Sequence, residues 1–326
     1  MESKTKNRKS REQVARMVER AFGGASLATG ENAVTELKEG WFNAAYTVQL
    51  SDGREVILKI APPSGAEVMA YEKNIMQVEV AAMRQVRANP AIPVPEIYYY
   101  DNAHDLCDSD YFFMEKLQGV DYKSIKSSLT TEAVSKIDRQ IGRIIRELNG
   151  YTGDYFGYEG NPDLRGATWR ETFLKIMEAT LEDGRMKNAE LGYAPDALRQ
   201  VLIKHAAALD EVVTPRMVHW DAWDSNFFVK EGKVSGIIDF ERVLWGDPLF
   251  EAQFRALHRA GGVSESMRGY GKTSFSPTEM QRCTLYTLHL GLVMKVECYF
   301  RNYDSDYVDK IGAQLMSISM NWLEAN

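Results

Sequence analysis

His219-Trp220-Asp221-Ala222-Trp223-Asp224-Ser225-Asn226 reads H-x-D-x-x-x-x-N, and Ile237-Ile238-Asp239-Phe240 follows it closely. Phosphoryl transfer asks little of a protein. It needs an acceptor for a hydroxyl's proton, oxygen ligands for magnesium, and a loop to hold both. Asp221 would be the base, Asn226 one metal ligand, and Asp239 the second. Hard magnesium prefers carboxylate and amide oxygen, with water and phosphate completing its shell. A lone aspartate reads as solvated surface and a lone asparagine as a turn residue. Their joint spacing between strand-like runs favours the catalytic reading.

Those runs must position the three residues. The stretch 215–218 leads into His219, Phe227 to Val229 forms a second run, and Gly232 marks a turn. Val234 to Ile238 is the third. Asp221 and Asn226 therefore sit on a loop entering a hairpin, with Asp239 after its second strand.

Upstream, Arg11 to Phe22 has apolar residues at helical spacing. Ala45 to Leu50 and Glu55 to Ile60 are strands joined at Asp52-Gly53, a strong hairpin signal. Gly40 to Asn43 would form a lid between strands; a plain turn is the alternative. Alternation puts Ile57 and Lys59 on one strand face. A helix rich in glutamate is expected over 68–86. Glu72 and Glu79 share a face of it, so periodicity leaves either as a partner for Lys59. Ile97 to Tyr100 and Tyr111 to Glu115 read as strands, and Met114 to Gly119 crosses to a helical second half. Helices are expected over 131–148, 169–181, 195–209, 249–257, 277–301 and 307–323, with 150–166 as a loop.

These motifs resemble the aminoglycoside phosphotransferase and choline kinase superfamily. That family usually reads H-G-D-x-x-x-x-N, then I-D-W or I-D-F with an acidic residue, then G-D-P. Here Trp245-Gly246-Asp247-Pro248 supplies the last element. Trp220 departs from the usual glycine. The resemblance implies an α+β, protein-kinase-like fold with a small antiparallel-sheet lobe (1–116) and a larger helical lobe (117–326). It implies ATP, or GTP, and Mg2+ as cofactors. Lys59 would bind the α- and β-phosphates, Ile57 would line the adenine pocket, and Gly40 and Asn43 would belong to the lid. The family pattern of glutamate with apolar residues four and seven later fits Glu79-Met83-Val86 and selects Glu79. Met114 would lie behind the base, with Glu115 and Leu117 offering backbone groups to it. His219 is expected to hold the loop rather than react, and Asp247 to cap or position its segment. Phe240-Glu241 replaces the phenylalanine and glycine of regulated protein kinases, and no long activation loop fits before Gly246. An always-competent small-molecule kinase is expected.

Composition agrees. A chain of 326 residues can hold two lobes, and 44% hydrophobic with 26% charged residues is ordinary for a soluble protein. The net charge of -7 disfavours nucleic acid. No secretory signal or membrane span is visible, and three cysteines without C-x-x-C spacing suit a reducing cytosol. The oligomeric state is not legible.

The acceptor is the least determined element. An aminoglycoside-like molecule is favoured on resemblance, with Trp223, Asp224, Glu251 and Glu297 as candidate contacts. Asp304 and Asp306 could add acidic charge, and Trp41, Trp220 and Trp245 could add aromatic faces. A sugar, amino alcohol or choline-like acceptor is the alternative, as is a macrolide. From another class, the chain could be a silent nucleotide-binding module; intact Lys59, Asp221, Asn226 and Asp239 argue against it.

Overall fold

The computed structural model describes residues 6–37, 42–255, 262–303 and 305–326. Helix α1 (Arg11–Phe22) opens on a reciprocal cap between Ser10 and Gln13. Its buried face, Val14, Met17 and Val18, packs on a five-stranded antiparallel sheet. The strands are β1 (Val34–Leu37), β2 (Ala44–Gln49), β3 (Glu55–Ile60), β4 (Ile97–Asp101) and β5 (Tyr111–Glu115). Their spatial order is β1-β2-β3-β5-β4. β3 is therefore central, with Lys59 opposite Ala45 on one side and Phe112 on the other.

Helix α2 spans Ile75–Val86 rather than beginning near 68. A short 3-10 turn, Ala70–Glu72, stands before it, and Asn74 adopts left-handed backbone with φ 54°. Tertiary partners impose that break. The Glu72 carboxylate accepts from the Met69 amide at 2.8 Å and pairs with Arg301 from the other end of the chain. Glu72 is thus drawn away from Lys59.

The chain then crosses through β6 (Val120–Asp121) and α3 (Tyr122–Lys126) into α4 (Thr131–Leu148). Gly119 takes φ 104°, and a Cβ there would lie 2.4 Å from the Val229 carbonyl oxygen. Only glycine serves that crossing. β7 (Phe156–Tyr158) and β8 (Arg165–Gly166) lie inside the segment expected to be a loop. Next come α5 (Trp169–Met186), α6 (Pro195–His205), β9 (Arg216–Val218), β10 (Phe227–Lys230), β11 (Lys233–Ile237) and β12 (Leu244–Gly246). Of the segment read as one helix over 249–257, the described part is a 3-10 turn, Pro248–Phe250, followed by α7 (Ala252–Arg255), and 256 and 257 lie outside the described residues. Helices α8 (Glu265–Tyr270), α9 (Pro277–Arg301) and α10 (Tyr307–Ala325) complete the chain. No helix among the described residues is long and apolar enough to cross a membrane.

Two small sheets frame the loop from 219 to 226. β10 pairs with β11 and β6, and β12 lies between β7 and β9. One apolar cluster joins both halves of the molecule, from Ile57, Met76 and Met114 to Ile141, Ile237 and Phe240. A second, around Trp169, Trp220, Phe250 and Leu288, supports the loop from below. The result is a two-lobed α+β molecule with its polar residues converging between the lobes.

Candidate active site

Lys59 is the meeting point. It is 7% exposed, yet its ammonium has carboxylates on three sides. The distances are 2.7 Å to Glu79, 2.5 Å to Asp239 and 3.3 Å to Glu241. Glu79, not Glu72, is thus the lysine's helix partner. β3 presents the lysine, α2 presents Glu79, and the turn after β11 presents Asp239 and Glu241. Asn43 joins them, because its Nδ2 donates to Glu241 Oε2 at 2.6 Å. Gly40 and Trp41 lie outside the described residues.

Three carboxylates face one ammonium. Burial pushes Glu79 above the usual carboxylate range, and Asp239 and Glu241 add to the rise against the pull of Lys59. Burial likewise raises Glu241. For Asp239 burial is outweighed by Lys59, so its carboxyl is held low. Such a cluster is short of positive charge.

The second element is the loop after β9. His219 Nε2 lies 2.9 Å from the Ile238 carbonyl oxygen, and its ring sits edge-on to Phe240. Burial lowers its pKa, so a neutral ring that donates there fits the site. Asn226 Nδ2 donates to the Asp221 carbonyl oxygen at 2.8 Å, and the Ile238 amide donates to the Asn226 carbonyl oxygen at 3.0 Å. These bonds tie the loop to the strand that ends at Asp239. Asn226 Oδ1 accepts nothing from the described residues. Asp221 Oδ1 accepts from Trp223 Nε1 at 2.8 Å, and its other oxygen is unused among the described residues. Asp239 itself has left-handed backbone, φ 67°.

The donor set suits magnesium: Asp239 and Asn226 Oδ1 are hard oxygen ligands beside excess negative charge. Those two would hold the ion, and it would neutralise phosphate charge.

Around the expected adenine position, Ile57 and Met114 are cross-strand partners and both are buried. The Glu115 amide already donates to Glu96 O at 2.8 Å. Leu117 packs over Gly236, where a Cβ would lie 2.3 Å from its side chain.

Two of the expected acidic acceptor contacts, Glu251 and Glu297, need correction. Glu251 is completely buried. Its carboxylate accepts from the His219 amide at 2.9 Å, the Trp220 amide at 3.2 Å and Asn149 Nδ2 at 3.0 Å. It braces the loop from behind and faces no acceptor. Glu297 is spent on Arg301 at 3.0 Å and Arg242 at 3.2 Å. Asp224 is paired with Lys126 at 2.9 Å. Asp306 pairs with Lys310 at 2.6 Å, and Asp304 lies outside the described residues. Trp223 is half-buried beside Asp221. Asp247 caps the Pro248–Phe250 turn and accepts from Arg282 and Tyr286, a structural role.

Sequence reading missed two residues here. Glu241 as a partner of Lys59 was signalled by the acidic residue that the family pattern places after I-D-F. Arg255 was signalled by a lone cation in an apolar run, one helical turn after Glu251. Its guanidinium donates to the Trp220 carbonyl oxygen and lies 4.5 Å from the Trp220 ring centre. Trp220 takes φ 67°, the conformation that glycine would adopt freely. Buried Glu251 and Arg255 thus grip the Trp220 peptide unit from both ends.

Comparison with known proteins agrees with this geometry. The sequence profile described as "Phosphotransferase enzyme family" matches residues 33–267. A subtelomeric hrmA-associated cluster protein of Aspergillus fumigatus is 30% identical over 125 residues. That match covers 38% of this chain and only 24% of the relative's length. Among solved structures, the ternary complex of aminoglycoside phosphotransferase APH(4)-Ia with AMP-PNP and hygromycin B has a TM-score of 0.61 at 16% identity. It is matched over 96% of this chain and 97% of its own. A candidate fructosamine-3-kinase from Thermobifida fusca has a TM-score of 0.61 at 18% identity, over 96% and 97%. The fold is the protein-kinase-like one of aminoglycoside phosphotransferases. The chain belongs to the phosphotransferase enzyme family.

Proposed function

We propose an ATP-dependent O-phosphotransferase that moves the γ-phosphate to a hydroxyl of a small molecule. The nucleotide would lie between lobes 1–116 and 117–326, with adenine against Ile57 and Met114 and near the Glu115–Leu117 backbone. The observation that carries the reading is Lys59 poised among Glu79, Asp239 and Glu241, beside a loop that offers Asp221 and Asn226.

Each residue then has work suited to its place. The unused oxygen of Asp221 takes the hydroxyl proton as the acceptor oxygen attacks phosphorus in line. The bond from the γ-phosphorus to the bridging oxygen breaks, and the nucleoside diphosphate leaves. Lys59 keeps Glu79 and exchanges its contacts with Asp239 and Glu241 for phosphate oxygens. Asn226 and Asp239 would hold Mg2+, which would supply positive charge to the transferring phosphate. His219 and Glu251 keep the loop rigid.

The acceptor is a separate matter. Aminoglycoside complexes among structures of the same fold support an antibiotic acceptor, and the fructosamine-3-kinase likeness supports a sugar-derived one. The loss of Glu251 and Glu297 to internal partners weighs against a polycation. A panel of hydroxylated small molecules, read by ADP release, tests the reaction. Asp221→Ala should lower turnover of any accepted compound by about 10²–10⁴-fold while nucleotide still binds. Near-normal turnover in that variant would overturn the proposed mechanism.

A further inference from the structure

A buried cluster surrounds the Trp220 ring, one residue from Asp221. Arg255 and Arg242 place their guanidinium carbons 4.5 Å and 4.9 Å from that ring's centre. Tyr71 lies 6.0 Å away and His289 5.8 Å away, centre to centre, and Tyr158 lies 5.7 Å beyond Tyr71. Arg255, Tyr71, Tyr158, Trp220 and His289 are each at least nine-tenths buried.

Their polar atoms are largely unused. Among the described residues, Arg255 Nε and Nη1, both tyrosine hydroxyls, Trp220 Nε1 and both His289 nitrogens lack a hydrogen-bond partner. A buried polar group without a partner is costly, and native proteins seldom keep several together without a purpose. A loop brace explains one N–H of Arg255, the one on the Trp220 carbonyl. It explains none of the others.

The charge has a sign. Arg255 forms no ion pair among the described residues, and Glu251 and Asp221 act on it only through space. Burial lowers its pKa to about 10, which leaves it cationic at neutral pH. His289 is driven down to about 3 by burial, with Arg255 and Arg242 adding to the fall, so it is neutral. The unused groups are therefore donors, apart from the hydroxyls and imidazole, which can do either. Toward Asp221 the cluster is flanked by Arg242 and Trp223, which are only partly buried, and Arg255 lies 5.4 Å from the Trp223 ring centre.

We propose that the acceptor carries an anionic group, a carboxylate or a phosphate, which binds Arg255 with help from Arg242, Tyr71 and Tyr158. This rests on the reading of Asp221 as the base that receives the acceptor hydroxyl. An anion there supplies the charge partner that Arg255 lacks and accepts from the idle donors. Its hydroxyl is then held within reach of Asp221. Buried guanidiniums suit planar carboxylates and tetrahedral phosphates through paired N–H groups. A polyamine acceptor would instead meet uncompensated positive charge.

The test uses the full chain saturated with Mg2+ and AMP-PNP, so that the nucleotide site is filled. Thermal melting is followed against sodium sulfate, a phosphate mimic, and sodium malonate, a carboxylate probe. Sodium chloride at matched ionic strength is the control. At tenfold excess over its dissociation constant, the preferred anion should raise the melting temperature by about 2 °C beyond chloride. Which salt acts tells phosphate from carboxylate. Arg255→Met should abolish the rise and Arg255→Lys should retain part of it. If Arg255→Met does not fold, Arg242→Gln carries the same comparison. In parallel, hydroxy acids are assayed beside their neutral amides and beside kanamycin. The acids should have the higher kcat/KM, and Arg255→Met should lower it by roughly thirtyfold. No anion-specific shift, or hydroxy-acid turnover that is no better than that of the amides or is indifferent to Arg255→Met, overturns the proposal. Failure of AMP-PNP to stabilise the chain at all would instead overturn the phosphotransferase reading.

Discussion

Replacing Trp220 by glycine sets two effects against each other. The residue sits at φ 67°, which costs an L side chain about 1–2 kcal/mol that glycine would recover. The indole is fully buried among Tyr71, Phe250 and His289, with two guanidiniums over its ring. Removing such a ring costs roughly 3–5 kcal/mol. Packing should win, with a net destabilisation of about 2–3 kcal/mol. For a chain of 326 residues that is a fall in Tm of roughly 3–5 °C. Trp220→Phe keeps the strained backbone and part of the ring, so its Tm should fall between wild type and Trp220→Gly. Scanning calorimetry or dye-monitored melting reads both variants. Turnover should also drop in Trp220→Gly, because Arg255 loses the ring that fixes it against the loop carbonyl. A glycine variant that melts at or above wild type would refute this reasoning. It would mean that the strain outweighs the ring, and that the family's usual glycine is simply the better residue here.

Lys59→Met should destabilise the nucleotide-free protein by about 3–5 kcal/mol, since it strands buried carboxylates without their cation; melting curves with and without MgCl2 should show magnesium restoring part of the loss, and an unchanged Tm would contradict the proposed charge balance. Glu251 has its pKa raised to about 7 by burial, against an ordinary 4.5, so folding binds its proton more tightly than the unfolded chain does. Stability from this group is thus full at acid pH and falls as pH rises from 4.5 through 7, by roughly 3 kcal/mol. Glu251→Gln cannot ionise, and its denaturant-derived stability should lack that slope; parallel pH profiles for the two proteins would contradict the assignment. Asp221→Ala should separate nucleotide binding from transfer, as set out above.

The loop from 219 to 226 was legible because its signals are local. Asp221, Asn226 and Asp239 lie on one hairpin within a short stretch, and the hairpin's alternation and Gly232 turn mark it plainly. β3 was legible for the same reason, since a six-residue run rich in Val and Ile follows a strong Asp-Gly turn. Helix α9 announces itself with a Ser276–Glu279 cap and proline in its first turn. What failed depended on distant partners. Glu72 looked helical until Arg301, far along the chain, drew it aside. Glu251 and Glu297 looked like acceptor ligands, because nothing local says that loop amides and two arginines consume them. β6, β7, β8 and β12 have two or three residues each, too few to carry a period. The cationic cluster around Trp220 was invisible for the same reason as the lost carboxylates. It is assembled from the 3-10 turn before α2, the small sheets, α7 and α9, and no stretch of sequence contains it.

The central claim is that Lys59, Asn226, Asp239 and Asp221 surround one magnesium nucleotide. A crystal structure of the Mg2+–AMP-PNP complex tests it most directly. Metal is expected on Asn226 Oδ1 and the Asp239 carboxylate, and Lys59 Nζ on phosphate oxygens while it keeps Glu79. The γ-phosphate should face the unused oxygen of Asp221. A nucleotide bound elsewhere, or a metal that avoids both Asn226 and Asp239, would contradict it.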